Sequence, residues 1–188
     1  HKEIKQLAEV TEKQRNRAMI WVGYESGARP GELLTLKIRN VEFDKYGAQI
    51  MVDGKTGERR IRLVESVPDL KNWLSMHLEK DDTDSWLWTS RKGGRLTYDG
   101  WYSVVKKVGR ISEVKKKIYP HLLRHSRATH LAGEGLNESQ LREIFGWKKG
   151  STMPSVYVHL SGRDTDEAIL DMYGIDVGRA EDQFEKSV

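Results

Sequence analysis

No cysteine occurs among the 188 residues, which excludes a disulfide framework and thiolate chemistry and fits a reducing cytoplasm. Neither a signal-peptide pattern nor an apolar run of membrane-spanning length is present, so a cytoplasmic protein without membrane attachment is expected. The sequence lacks an initiator methionine, beginning at His1 as an excised domain would. No internal repeat and no low-complexity tract divides it. Its length supports one globular domain with a sizeable core.

What is present is charge, unevenly spread. The chain is formally +4, yet residues 161–188 hold three cations against eight acids. That tail is −5, which leaves +9 on residues 1–160. A basic body favours a polyanionic partner, although basic domains without one are common.

Residues 3–10 read as the first turns of a helix with Ile4, Leu7 and Ala8 on one face. Thr11 and Gln14 are expected to box the start of a second helix that stops at Gly27. Pro30 suits a first helical position, with Glu32 in the first turn where the helix dipole favours an acid. Arg29 then stands at a helix entrance. From Val41 the period becomes two: Val41–Phe43, Gln49–Val52 and Arg60–Leu63 read as strands joined by turns at Tyr46-Gly47 and at 54–57. Lys55 projects from the second turn. Pro68 opens a helix expected to carry Leu70, Trp73, Leu74 and Leu78, and Thr97 caps another bearing Trp101, Val104, Val105 and Val108. Gly133 and Gly135 stop a helix that holds His121 and Arg124 three residues apart, hence on one face. Asn137 and Gln140 box the next, which Gly146 ends. A short amphipathic helix is expected over 164–174 and no structure over 176–188. The pattern is α+β: a mostly helical domain with a small three-stranded antiparallel β-sheet to one side.

Taken together, Ala28-Arg29-Pro30-Gly31-Glu32-Leu33, Gly54-Lys55-Thr56-Gly57-Glu58-Arg59-Arg60, His121-Leu122-Leu123-Arg124-His125, Gly146-Trp147 and Tyr157-Val158-His159 resemble, in order and spacing, the catalytic domain of a tyrosine recombinase. The flavour is that of phage and Xer-type integrases, with an archaeal, viral or plasmid member expected. The resemblance runs from about Thr11 to Gly174. It implies a catalytic domain over 1–175 and a mobile tail over 176–188. Full-length relatives also carry an N-terminal DNA-binding domain, which is expected to lie outside these 188 residues.

The resemblance implies site-specific recombination (integration, excision or dimer resolution) by strand cleavage and rejoining. Tyr157 would attack the scissile phosphate, form a 3′-phosphotyrosine and release a 5′-hydroxyl. The covalent intermediate keeps the ester energy, so no cofactor is expected. Arg29 and Arg124 offer planar forks that match the oxygens of a five-coordinate phosphorus. Their charge acts on charge that grows in the transition state. Nearby cations are expected to favour the Tyr157 phenolate. Lys55 would protonate the leaving oxygen, His121 would assist proton transfer at the tyrosine, and Trp147 would donate its indole N–H to the phosphate. The implied partner is double-stranded DNA. Dimers or tetramers would form on it through the C-terminal helix, in the nucleoid or in a host cytoplasm.

Several residues carry a plainer alternative. Taken alone, Arg29 reads more readily as a helix-end cap and Lys55 as a solvated turn residue, while Trp147 reads equally as core packing. Tyr173 is the rival nucleophile, but it follows an apolar helix face and lacks the spacing from Trp147. His121 and His125 share the i, i+4 spacing of a zinc helix, yet Leu122 stands where a zinc protease has glutamate, and Arg124 would set a cation beside the metal. No metal is expected, and His125 reads as a supporting or core residue. Asp81–Asp84 lacks the spacing of a calcium loop. Two other classes stay open. One is a mechanistic relative such as a type IB topoisomerase or hairpin-forming resolvase; the other is a DNA-binding domain without catalysis.

Overall fold

The computed structural model describes residues 1–160, 169–170 and 172–175. Its elements are α1 (Lys2–Glu9), α2 (Gln14–Ser26), α3 (Pro30–Leu34), a 3-10 turn (Ile38–Asn40), β1 (Val41–Asp44), β2 (Gly47–Gly54), β3 (Gly57–Leu63), α4 (Val67–Ser75), α5 (Tyr98–Ile111), α6 (Pro120–Gly133), α7 (Glu138–Phe145) and α8 (Met153–Leu160). The fold is α+β, with one antiparallel sheet ordered β1-β2-β3.

Helix α2 is the hub. Ala18, Met19, Ile20, Val22 and Tyr24 are all buried on it, so it presents no wet face along its middle. It packs against α1, α4 and α6. The sheet adds one apolar face to the same core. Ala48, Ile50 and Val52 alternate inward along β2, and Ile50 pairs with Val41 on one side and Ile61 on the other. A second, smaller cluster joins α6, α7 and α8 through Ala128, Ala132, Leu141, Phe145 and Tyr157.

Local signals set most boundaries. Pro30 takes the first turn of α3, the Thr97 hydroxyl accepts from the Gly100 N–H, and Asn137 and Gln140 form the expected box. Two boundaries differ from expectation. Thr11 does not open α2: its hydroxyl donates back to the Leu7 carbonyl at 2.7 Å, closing the end of α1. Gln14 instead reaches across to the Asp69 carbonyl and carboxylate on α4, both at 3.0 Å. Helix α4 ends at Ser75, so Leu78 is fully exposed. Its start is held by Glu25, whose carboxylate accepts from the backbone N–H of Val64, Glu65 and Ser66 and from the Ser66 hydroxyl. A buried acid thereby satisfies N–H groups that a helix start leaves without partners.

The helix expected over 164–174 lies largely outside the described residues, and the tail over 176–188 lies wholly outside them. Ile169, Met172, Tyr173 and Ile175, which are described, are exposed. Among the described residues no helix is long and apolar enough to cross a membrane.

Candidate functional site

The site forms where three helix ends meet. Helix α2 ends at Gly27 (φ 56°) and α7 at Gly146 (φ 57°), both in the left-handed conformation that favours glycine. Neither tolerates a side chain. A Cβ on Gly27 would lie 2.3 Å from the Phe145 ring, and one on Gly146 would lie 2.9 Å from the Arg59 guanidinium and 3.0 Å from the Thr56 hydroxyl.

Three consecutive carbonyls at the end of α7 each accept from a different arginine. Arg59 Nε donates to Ile144 O at 2.9 Å, Arg124 Nη2 to Phe145 O at 2.7 Å, and Arg29 Nη2 to Gly146 O at 3.0 Å. The C-terminal end of a helix is its negative pole, which suits three cations. Arg124 also donates through Nη1 to Gly27 O at 2.7 Å, so one side chain joins the ends of α2 and α7. It lies over the rings of Phe145 and Trp147 at 5.1 and 5.5 Å. Burial, followed by the charge on Arg29, pushes the Arg124 pKa down to about 10, so it stays cationic at neutral pH.

Glu32 holds two of these arginines together. Its carboxylate receives Arg29 Nη1 at 2.8 Å and the Arg29 backbone N–H at 2.8 Å. Arg59 reaches it through Nη1 at 3.0 Å and Nη2 at 2.6 Å. Burial would raise the Glu32 carboxyl, but the hydrogen bonds from Arg59 and Arg29 outweigh it and hold the group below its usual value. Arg59 was missed as a site residue. It shares the strand parity of the buried Ile61 and Leu63, and a cation on the core face of a strand requires a buried partner.

Tyr157 belongs to a stack. Its ring lies on Trp147 with centroids 5.5 Å apart and planes 10° apart, and Trp147 lies on Phe145 at 4.8 Å and 18°. Tyr157 is buried, and burial raises its hydroxyl pKa, opposed by the charge on Arg124. The charge on Arg124 acts in the expected direction, towards the phenolate, and desolvation by the packed stack outweighs it. Its hydroxyl is hydrogen-bonded to Nδ1 of His125.

The structure thus brings Arg29, Arg124, Trp147 and Tyr157 together. His121 is exposed on α6, and its ring makes no hydrogen bond among the described residues. Burial of part of the ring, then His125, Arg124 and Arg29, lower its pKa. The histidine at the tyrosine is His125 rather than His121, and His125 is exposed instead of lying in the core. Lys55 is exposed at the β2–β3 turn; the neighbouring Thr56 ties that turn to the site by donating its hydroxyl to Gly146 O at 3.0 Å. Tyr173 is exposed, and no described contact brings it to the arginines. Among the described residues no group of three or more His, Asp or Glu is placed to hold a metal ion.

Residues 1–163 match the phage integrase family. The chain is 30% identical over 148 residues to the tyrosine recombinase XerC of Haemophilus ducreyi, covering 78% of this chain and 48% of that protein. It is 30% identical over 173 residues to the tyrosine recombinase XerA of Pyrococcus furiosus, covering 89% of this chain and 58% of that one. The crystal structure of a XerA recombinase superposes with a TM-score of 0.73 at 26% identity, over 93% of this chain and 61% of that one. The post-cleavage complex of the XerH site-specific recombinase with a palindromic difH substrate shares the fold, with a TM-score of 0.72 at 24% identity over 90% of this chain and 51% of that one. The chain spans about half the length of these curated relatives.

Proposed function

The chain belongs to the phage integrase family, and on that premise we propose that it cleaves and rejoins double-stranded DNA at specific sites through a 3′-phosphotyrosine on Tyr157. The observation that carries this reading is the docking of three guanidiniums on successive carbonyls beside a stacked phenol. Simple DNA binding has no need of a tyrosine held among such groups. Each arginine keeps N–H donors beyond those used on carbonyls and on Glu32. Arg29, about one-third exposed, and Arg124 turn those donors to the phosphate oxygens, where charge accumulates during attack. The carbonyl contacts prepay the orientation of both forks.

Lys55 at its exposed turn protonates the leaving 5′ oxygen. His121, whose pKa is lowered by burial and then by His125 and two arginines, assists proton transfer at the site. Trp147 orients the phenol by stacking and offers its indole N–H to the same phosphate. The protein acts on cytoplasmic or nucleoid DNA as a dimer or tetramer, joined through the segment after Tyr157, whose described apolar residues Ile169 and Met172 are exposed.

The test is covalent trapping on a nicked duplex that carries a site selected by the protein from random-sequence DNA. Wild type forms a denaturant-resistant complex. Tyr157→Phe, which keeps the stack on Trp147, binds the duplex and forms none. Attachment surviving in Tyr157→Phe and lost in Tyr173→Phe overturns the assignment. Relaxation of supercoiled plasmid without any selected site favours a topoisomerase instead.

A further inference from the structure

Attack by Tyr157 requires that its proton go somewhere, and the described residues offer one acceptor. Among the described residues the hydroxyl has a single hydrogen-bond partner, His125 Nδ1. The geometry follows from the two helices. His125 lies one turn beyond His121 on α6, and α8 lays Tyr157 against that helix with ring centroids 6.1 Å apart. The phenol ring is buried while the imidazole is exposed, so the hydroxyl sits at the boundary between the aromatic stack and solvent. The second ring nitrogen, Nε2, makes no hydrogen bond among the described residues and is open to pass a proton on. No described carboxylate or lysine contacts the hydroxyl. The charged group nearest in effect is Arg124, which stabilises a phenolate but accepts no proton.

We propose that His125 is the proton acceptor for Tyr157, a catalytic residue that touches the reacting oxygen. The inference rests on the strand-cleavage reading given above. As the phenolic oxygen bonds to phosphorus, its proton moves to Nδ1; the bond from phosphorus to the 5′ oxygen breaks, and that oxygen takes a proton from Lys55. In rejoining, a 5′-hydroxyl attacks and returns its proton to Lys55, while the departing tyrosine oxygen recovers its own from His125. Protons balance and no co-reactant is consumed.

The experiment compares wild type, His125→Ala and His125→Asn in the trapping assay. Asparagine places an amide oxygen near the Nδ1 position, so it accepts the phenol's hydrogen bond without being a base. His125→Ala is expected to slow attachment by about 10²- to 10⁴-fold, the range of a lost general base. Added imidazole should restore it by at least about tenfold in the same terms. His125→Asn stays slow, and both variants keep wild-type duplex binding and thermal stability because His125 is exposed. A wild-type rate in His125→Asn reduces His125 to positioning and overturns the proposal, as does failure of imidazole to speed His125→Ala. A wild type that traps no DNA overturns this inference together with its premise. Wild-type trapping with an unimpaired His125→Ala overturns this inference alone.

Discussion

Replacing Arg59 with methionine tests how the site is held together. The Arg59 and Glu32 side chains are 9% and 4% exposed. The substitution roughly conserves volume but removes two hydrogen bonds to Glu32 and one to Ile144 O. Breaking a buried ion pair from one side costs roughly 3–5 kcal/mol, because the other charge is left desolvated. Arg29 still grips Glu32 through its guanidinium and its backbone N–H, which places the cost near the lower end, about 3 kcal/mol. Against a total stability of about 5–15 kcal/mol for a domain, that is a large fraction. Glu32→Gln alone strands the opposite charge. The double variant strands neither, so its loss should fall short of the sum by about 1–3 kcal/mol. Urea unfolding of the four proteins, with unchanged slopes, measures this coupling. Acid adds a second check. Glu32 titrates below its ordinary value in the folded state, so its contribution is complete above that ordinary value of 4.5 and fades as pH falls through the depressed one. Glu32→Gln should therefore lose less stability on acidification than wild type. Additivity within about 0.5 kcal/mol would refute the reasoning.

Arg124→Lys keeps a charge but cannot span Gly27 O and Phe145 O together. It should unfold about 1.5–3 kcal/mol more easily, for one lost charged hydrogen bond, and cleave about 10²- to 10³-fold more slowly. Denaturation and trapping measured on the same preparation check both, and an unchanged midpoint would show that the two carbonyls do not depend on the fork. Lys55→Ala, at an exposed turn, should leave stability unchanged and impair cleavage. A substrate with sulfur at the 5′-bridging position should relieve that impairment, since a thiolate leaves without protonation. Equal impairment on both substrates would assign Lys55 an electrostatic role.

The sequence by itself determined the elements whose cause is local. Pro30 at the start of α3, glycine at the ends of α2 and α7, the Asn137–Gln140 box and the inward alternation of β2 are each settled within a few residues by backbone geometry or periodicity. The same local spacing put Tyr157 ten residues beyond Trp147, on whose ring it stacks. Tertiary structure decided everything that depends on a partner distant in the chain. Thr11 is near Gln14 in sequence, yet it bonds back to Leu7 while Gln14 bonds to α4, because a side-chain donor goes to whichever acceptor packing brings within reach. Arg59 carries no local sign of its partner, since Glu32 lies 27 residues away and meets it only when the sheet packs against α3 through β2. The state of Tyr157 turned on a competition that spacing cannot express. Cations near a phenol favour its anion and burial opposes it, and the balance, which raises the hydroxyl pKa, is set by the packed stack on Trp147.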